Sequence, residues 1–214
     1  MTRRKTGRRR SPVVGTAIAL ALLASACGDD ATIATTIPPS TTAVASTTTT
    51  GAADLSSAIA AVGSRYRFVA SVSLNGTETT RVEGLLTDGT GRYLVTNAGT
   101  QVEYIVGPAG QWARQGDAPW TVLGGPAPVA DPLAQLASPT TLTQISSSAD
   151  GAVITATYPA TALGFAGEGE VRVALTIAGG VLAEIRYSAP VGTSAAVVVT
   201  TITPDPFAPP VTTP

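Results

Sequence analysis

Arg65-Tyr66-Arg67-Phe68-Val69-Ala70-Ser71-Val72-Ser73-Leu74, followed by Asn75-Gly76, is the stretch on which the reading of the fold turns. Tyr66, Phe68, Ala70, Val72 and Leu74 recur every second residue, and Arg65, Arg67, Ser71 and Ser73 fall between them. This spacing places the apolar set on one face of a β-strand. Asn-Gly is the strongest short hairpin signal, because both central positions of a type I′ turn need positive φ. Thr77 to Thr87 therefore reads as the return strand, and Asp88-Gly89 turns the chain into Arg92 to Thr96. Thr100 to Val106 continues the meander. Asp150-Gly151 then precedes Ala152 to Tyr158, Val171 to Ile177 is joined through Ala178-Gly179-Gly180 to Val181 to Tyr187, and Ala195 to Thr203 closes a set of about nine strands.

Strands joined by tight hairpins form an antiparallel sheet, which needs cover on one face only. Two segments are candidates for that cover. Asp54 to Val62 offers an N-cap Asp and apolar Leu55, Ile59 and Val62 at helical spacing. Asp131-Pro132-Leu133-Ala134-Gln135-Leu136-Ala137 offers an Asp cap, Pro at the first helical position, and Leu133 and Leu136 three apart. The fold class expected is mainly β with a small α component. So little helix for so large a sheet means that the sheet curls on itself or holds something else.

The chain has 214 residues, 44% hydrophobic and 13% charged, with no His and one Cys, and its single Lys lies at position 5. His-dependent triads, Cys/His zinc sites, disulfides and Lys Schiff bases are excluded together within the folded region. No enzyme, metal or cofactor is expected. The net charge of −1 conceals an asymmetry: Arg3, Arg4, Lys5, Arg8, Arg9 and Arg10 fall within the first ten residues, and the rest of the chain carries a net −7. This cluster is followed by an apolar run, Pro12 to Ala26, and then Cys27. The pattern is that of a secretory signal over residues 1–26. The basic cluster leaves with it, so no nucleic-acid surface is expected.

Cys27 directly follows Leu23-Ala24-Ser25-Ala26 and resembles the lipobox cysteine of bacterial lipoproteins, with Ala24 where Leu is commonest. The expected modification is a diacylglyceryl group on Cys27, which would anchor the chain at the outer face of the cell membrane, in the cell envelope. Residues 27–53 read as a Thr/Ser/Pro-rich tether: nine Thr lie between positions 31 and 53, with no charge and no periodicity. Such a tract invites O-linked sugars. The folded domain is expected over 54–203. Residues 204–214, with five Pro, read as a disordered tail.

The order of these features carries a family resemblance. A lipobox, a Thr-rich stalk, a helix, the opening strand Ser64-Arg-Tyr-Arg-Phe68 and the hairpin Val102 to Trp112 come first. Ala118-Pro-Trp-Thr-Val122, the segment Asp131 to Leu136, a run of β-hairpins and a Pro-rich end come next. The whole resembles the actinobacterial LppX/LprAFG lipoproteins, which share the half-barrel of the LolA-like carriers. The resemblance implies a curved antiparallel sheet with short helices across its concave face, and between them an apolar cavity that carries lipids or lipoglycans. On that reading the cavity-lining candidates are Phe68, Ala70, Val72, Tyr104, Trp112, Leu133, Leu136, Val171, Val173 and Leu175. For each of them ordinary core packing is the plainer explanation. The alternative for the whole chain is a tethered surface domain that scaffolds or senses, with a filled core and no lipid cargo.

Three further features have double readings. Trp112 and Trp120 flank the turn Gln115 to Pro119 and suit either a cavity mouth or packing across a hairpin. Glu168 and Glu170 would share a strand face as a carboxylate pair, or, with Gly167 and Gly169 interleaved, form a solvated strand entry. Asn75-Gly76-Thr77 matches a glycosylation sequon that the turn already explains. Replacing Cys27 with Ser is expected to move the protein from the detergent-rich to the aqueous phase in a partitioning experiment. Retention in the detergent phase would rule out the lipid anchor.

Overall fold

The computed structural model describes residues 48–136, 138–148, 151–163, 165, 169–191 and 194–214. The signal segment, Cys27, most of the tether and Glu168 lie outside these residues. Among these residues one α-helix, α1 (Thr48–Val62), precedes eleven strands. β1 (Arg65–Leu74), β2 (Thr77–Thr87), β3 (Thr90–Asn97), β4 (Thr100–Gly107), β5 (Gly110–Arg114) and β6 (Thr121–Gly124) form a first meander. β7 (Thr141–Ser148), β8 (Gly151–Pro159), β9 (Glu170–Ala178), β10 (Val181–Val191) and β11 (Ser194–Pro204) form a second. All belong to one open antiparallel sheet in the order β6-β5-β4-β3-β2-β1-β11-β10-β9-β8-β7.

The hairpins form where the sequence places them. Asn75 and Gly76 have φ of 51° and 80°, the left-handed pair that a type I′ turn requires, and Asp88 and Gly89 repeat it at 50° and 82°. Two strands exceed the sequence expectation, and each has a physical reason to escape it. β6 has only four residues and meets β5 across a register shift at Gln111/Trp112. β7 pairs with β8 through a shift between Gln144 and Ser146, so its apolar residues Leu142 and Ile145 are three apart rather than two.

The two meanders meet at the chain's first and last strands. β1 and β11 pair from Tyr66↔Pro204 to Leu74↔Ala196, in the middle of the sheet, which leaves β6 and β7 at opposite edges. The chain must then travel from one edge to the other through residues 125–140. Eleven flat strands would separate those edges by about 48 Å at about 4.8 Å per gap. The crossing segment could span this only if almost fully extended. It is not extended: Asp131 N–H donates to the Val129 carbonyl, Leu136 N–H donates to the Leu133 carbonyl, and Ala134–Leu136 is a 3₁₀ turn. The sheet is therefore curved, its edges drawn toward each other over the side that the segment crosses.

Cover on that side comes from two sources. α1 packs against β10 and β7 and buries Leu55, Ala58 and Val62. The crossing segment contributes Leu133 and Leu136 to the same core, with Ala127, Val129 and Ala130 packed beside them.

Three sequence expectations are corrected. α1 begins at Thr48, so Asp54 is an exposed interior residue of the helix and not its cap. Asp131 does cap, its Oδ1 accepting the Leu133 N–H at 2.7 Å, but it opens a single 3₁₀ turn rather than an α-helix. The Pro-rich end is docked rather than free: Asp205 pairs with Arg67 at 2.8 Å, Arg65 Nη1 donates to the Ala208 carbonyl, and Val211 N–H donates to Thr87 Oγ1.

Gly84 on β2 underlies the Phe68 ring, and a Cβ there would lie 2.1 Å from Phe68 Cε1. Gly84→Ala is expected to destabilise the domain by about 1–3 kcal/mol. Adding Phe68→Leu should recover part of that loss in urea denaturation, whereas equal stability of Gly84→Ala and the parent would contradict this contact.

Candidate functional site

The covered face is built around β1. Its alternation sends Tyr66, Phe68, Ala70 and Val72 inward, all at most 6% exposed. Phe68 lies between Tyr66 and Tyr93, with ring centroids 6.4 and 6.2 Å away in tilted geometry. The crossing segment is fastened to this face by three phenols. Tyr66 OH donates to Asp131 Oδ1 at 2.5 Å, Tyr93 OH to the Ala130 carbonyl at 3.2 Å, and Tyr158 OH to the Leu136 carbonyl at 3.2 Å. Such hydrogen bonds let irregular backbone lie on an apolar surface without leaving its polar groups unpaired.

Of the lining candidates, Phe68, Ala70, Val72, Leu133, Leu136, Val171, Val173 and Leu175 enter one apolar cluster, none more than 7% exposed. Tyr104 packs half-buried at the margin of that cluster. Trp112 does not belong with them. It faces Ile105 across β4 and β5, and Ile105 pairs with Arg92, so strand parity places all three on the opposite side of the sheet from Tyr93 and Tyr104. A side chain beside an empty channel keeps exposed surface along it. Val173 and Leu175 are 0% exposed, so no such space adjoins them.

Burial also governs the phenols. It pushes the Tyr158 and Tyr187 hydroxyls up to about 12. Tyr66 is raised further, by burial first and then by its hydrogen bond to Asp131, and Tyr93 by burial first and then by the Asp131 charge.

The opposite face has its own organisation. Glu103, whose side chain is 12% exposed, accepts from Arg92 and from Arg114. Arg114 in turn lies over the Trp120 ring at 4.6 Å from the centroid. Leu85, Arg92, Ile105, Arg114 and Trp120 form one wall of a cleft of about 510 Å³, and the chain end from Pro209 to Pro214 forms another. A second cleft of about 370 Å³ adjoins it along Arg67, Glu83, Leu94 and Glu103. Sequence reading missed this cluster because its members come from three strands, and only the register brings Glu103 opposite Arg114. It missed the three tyrosine fastenings for the same reason.

Among the described residues no group of three or more His, Cys, Asp or Glu could hold a metal ion, and no helix is long and apolar enough to cross a membrane. Glu170 is exposed at the start of β9, and its proposed companion Glu168 is outside the described residues.

These features define a class: a large open antiparallel sheet whose apolar face is covered by one helix and a fastened crossing segment. No family model matches the chain, and no curated protein does. Among solved structures, LprF from Mycobacterium bovis is similar at a TM-score of 0.47 and 14% identity, covering 72% of this chain and 91% of that one. Such a likeness leaves the chemistry of the site to its own residues.

Tyr66→Phe removes a donor from Asp131 and is expected to cost about 1 kcal/mol, read as a shifted urea midpoint. Because the folded chain keeps Tyr66, Tyr93, Tyr158 and Tyr187 protonated beyond the ordinary tyrosine pKa of about 10, the unfolded chain releases protons first. Stability should be level below about pH 10 and fall as pH rises toward 12, with phenolate absorbance appearing together with unfolding. Phenolate formation by any of these four at about pH 10 with the fold intact, read in a Tyr104→Phe background, would contradict this burial.

Proposed function

We propose that this chain is a non-enzymatic envelope lipoprotein, anchored to the membrane by a diacylglyceryl group on Cys27, whose sheet domain binds and transports acylated lipids or lipoglycans. The half-barrel with cover across its concave face, as the family resemblance implies, is the architecture this reading uses. The observation that carries it is the nature of the cover. A continuous apolar face, from Phe68 and Val72 on β1 to Val173 and Leu175 on β9, is spanned by a crossing segment without regular secondary structure apart from one 3₁₀ turn. That segment is fastened by the hydroxyls of Tyr66, Tyr93 and Tyr158.

The energetics fit an exchange of cover for cargo. A sixteen-carbon acyl chain leaving a membrane exposes about fifteen methylenes, on the order of 12 kcal/mol, so a carrier needs an enclosed apolar site and not a surface patch. A hydrogen bond from a phenol contributes about 1 kcal/mol. Lifting Leu133 and Leu136 from the sheet would expose an apolar bed of the kind an acyl chain replaces. The closed arrangement is then the unloaded state, and loading displaces the crossing segment while the sheet persists.

A second reading, a tethered interaction or sensor domain with a filled core, is favoured by the complete burial of Val173 and Leu175. Native mass spectrometry of the protein purified from envelope membranes separates the two. Stoichiometric non-covalent lipid, distinct in mass from the covalent anchor, is expected under the first reading. Lipid-free protein, with a single protein partner recovered by cross-linking, would overturn it in favour of the second.

A further inference from the structure

The chain end and the outer face of the first meander form a groove with an exchangeable occupant. Its floor is apolar, with Leu85 half-buried and Ile105 only 4% exposed although Ile105 stands outside the main core cluster. Its wall is Trp120, held in place by Arg114, which is itself held by Glu103. The cations around the groove are already paired: Arg92 and Arg114 with Glu103, Arg67 with Asp205, Arg65 with Asp88. Each guanidinium already has a carboxylate partner, so what the groove offers a ligand is its apolar floor and the Trp120 ring.

The present occupant, Pro209 to Pro214, has no charged side chain and is rich in proline. Pro209 and Pro210 fix their own φ and lack donors, which favours the extended polyproline conformation recognised by aromatic-lined grooves. The occupant is loosely held. Among the described residues, its one hydrogen bond beyond Ala208 is Val211 N–H to Thr87 Oγ1 at 2.9 Å, and a cleft of about 510 Å³ remains beside it. Phe207, its one aromatic residue, is 93% exposed instead of using the groove.

The sequence contains a second segment of the same kind. Pro38-Pro39-Ser40-Thr41-Thr42 repeats Pro209-Pro210-Val211-Thr212-Thr213 with four of five residues identical and no charge in either. We propose that the groove between Thr87 and Trp120 is a binding site for an uncharged Pro-Pro-x-Thr-Thr segment. The chain's own tail fills it, and the Pro38–Thr42 segment of a neighbouring copy exchanges with that tail. The neighbour is the source because α1 packs on the face opposite the groove. Only about 20 Å of extended chain separates Thr42 from the start of α1, and it would have to pass around the edge of the sheet. A second copy carries no such restriction. The consequence is a head-to-tether contact between copies that leaves the apolar face untouched.

The test uses the full chain and a fluorescent peptide spanning residues 36–43, with anisotropy as the readout. Val211→Pro removes the donor of the tail alone and leaves Thr87 Oγ1 to accept from Ser40 of the peptide, which stands where Val211 does in the shared pattern, whereas Thr87→Val removes the acceptor for both. Val211→Pro is expected to loosen the tail and tighten peptide binding by about fivefold over the parent, the factor set by one hydrogen bond, and Thr87→Val to leave peptide binding near that of the parent. Trp120→Ala should abolish binding in either background, and an unlabelled peptide of residues 205–214 should compete. Thermal melts of each variant verify that the fold is retained. Equal affinity in the parent and Val211→Pro, binding that survives Trp120→Ala, equal binding of a scrambled peptide, or no binding to any variant would each overturn the proposal. Competition by the 205–214 peptide against a labelled copy of itself, with no binding of 36–43, would overturn the exchange.

Discussion

Pairing of the first strand with the last, β1 with β11, is the constraint on which the rest of the molecule depends. Each meander by itself is a set of local hairpins with no reason to stop or to fold over. Zipping Tyr66 to Leu74 against Pro204 to Ala196 joins the meanders at the middle of one sheet, and the ends of both meanders become its distant edges. The connection between them has no route except across a face. A limited length of chain then forces the curvature, and the apolar face of β1 fixes which side is crossed. The pairing is non-local over nearly the whole domain, so its loop-closure cost must be met before its contacts form.

The covered face is a consequence of that route. The chain between Gly125 and Thr140 carries Pro126, Pro128, Pro132 and Pro139, which lack donors and resist helix formation, so it crosses as irregular backbone with one 3₁₀ turn. Irregular backbone over an apolar surface needs partners for its polar groups, and tyrosine supplies them: its ring belongs to the core and its hydroxyl reaches the cover. Tyr66, Tyr93 and Tyr158 all occupy this position, on β1, β3 and β8. The same burial that fits their rings into the core raises their pKa values. Core packing and fastening of the cover are thus one arrangement.

The outer face shows a different economy of charge. Most of the few arginines left after the N-terminal segment project from the first meander, where Glu103, Glu83, Asp88 and Asp205 neutralise them. Pairs this exposed contribute little stability individually. Their structural effect is positional: Glu103 bridges β3 and β5 and sets Arg114 over Trp120, and Arg65 and Arg67 hold the start of the tail. The two faces of one sheet therefore serve separate ends, apolar packing on one and an extended Pro-rich segment on the other.

Local physics makes much of this legible. Period-2 alternation locates β1 and β2 to the residue, and Asn75-Gly76 and Asp88-Gly89 mark their turns, because side-chain direction and positive φ are properties of neighbours along the chain. The same alternation gives the inward set Phe68, Ala70 and Val72, while β6 and β7 escape because bulges interrupt the period. Trp112 lies on the face opposite the one its apolar character suggests, since in a five-residue strand too short to show a pattern a residue takes its side from register. Asp54 looks like a cap because the Thr-rich run ahead of it has weak helix propensity, yet the helix extends through Thr48 to Thr50. The docked tail looks free for a similar reason: Pro excludes helix and central strand but leaves attachment by side chains open. The sequence by itself determined β1 to β4 and β8 to β11, the tight turns between them and which side of β1 is apolar. Only the tertiary structure decided that β1 meets β11, that tyrosine hydroxyls fasten the crossing segment, and that Glu103 joins Arg92 to Arg114. Those contacts link residues distant along the chain, and their energies exist only once the sheet has closed the distance between them.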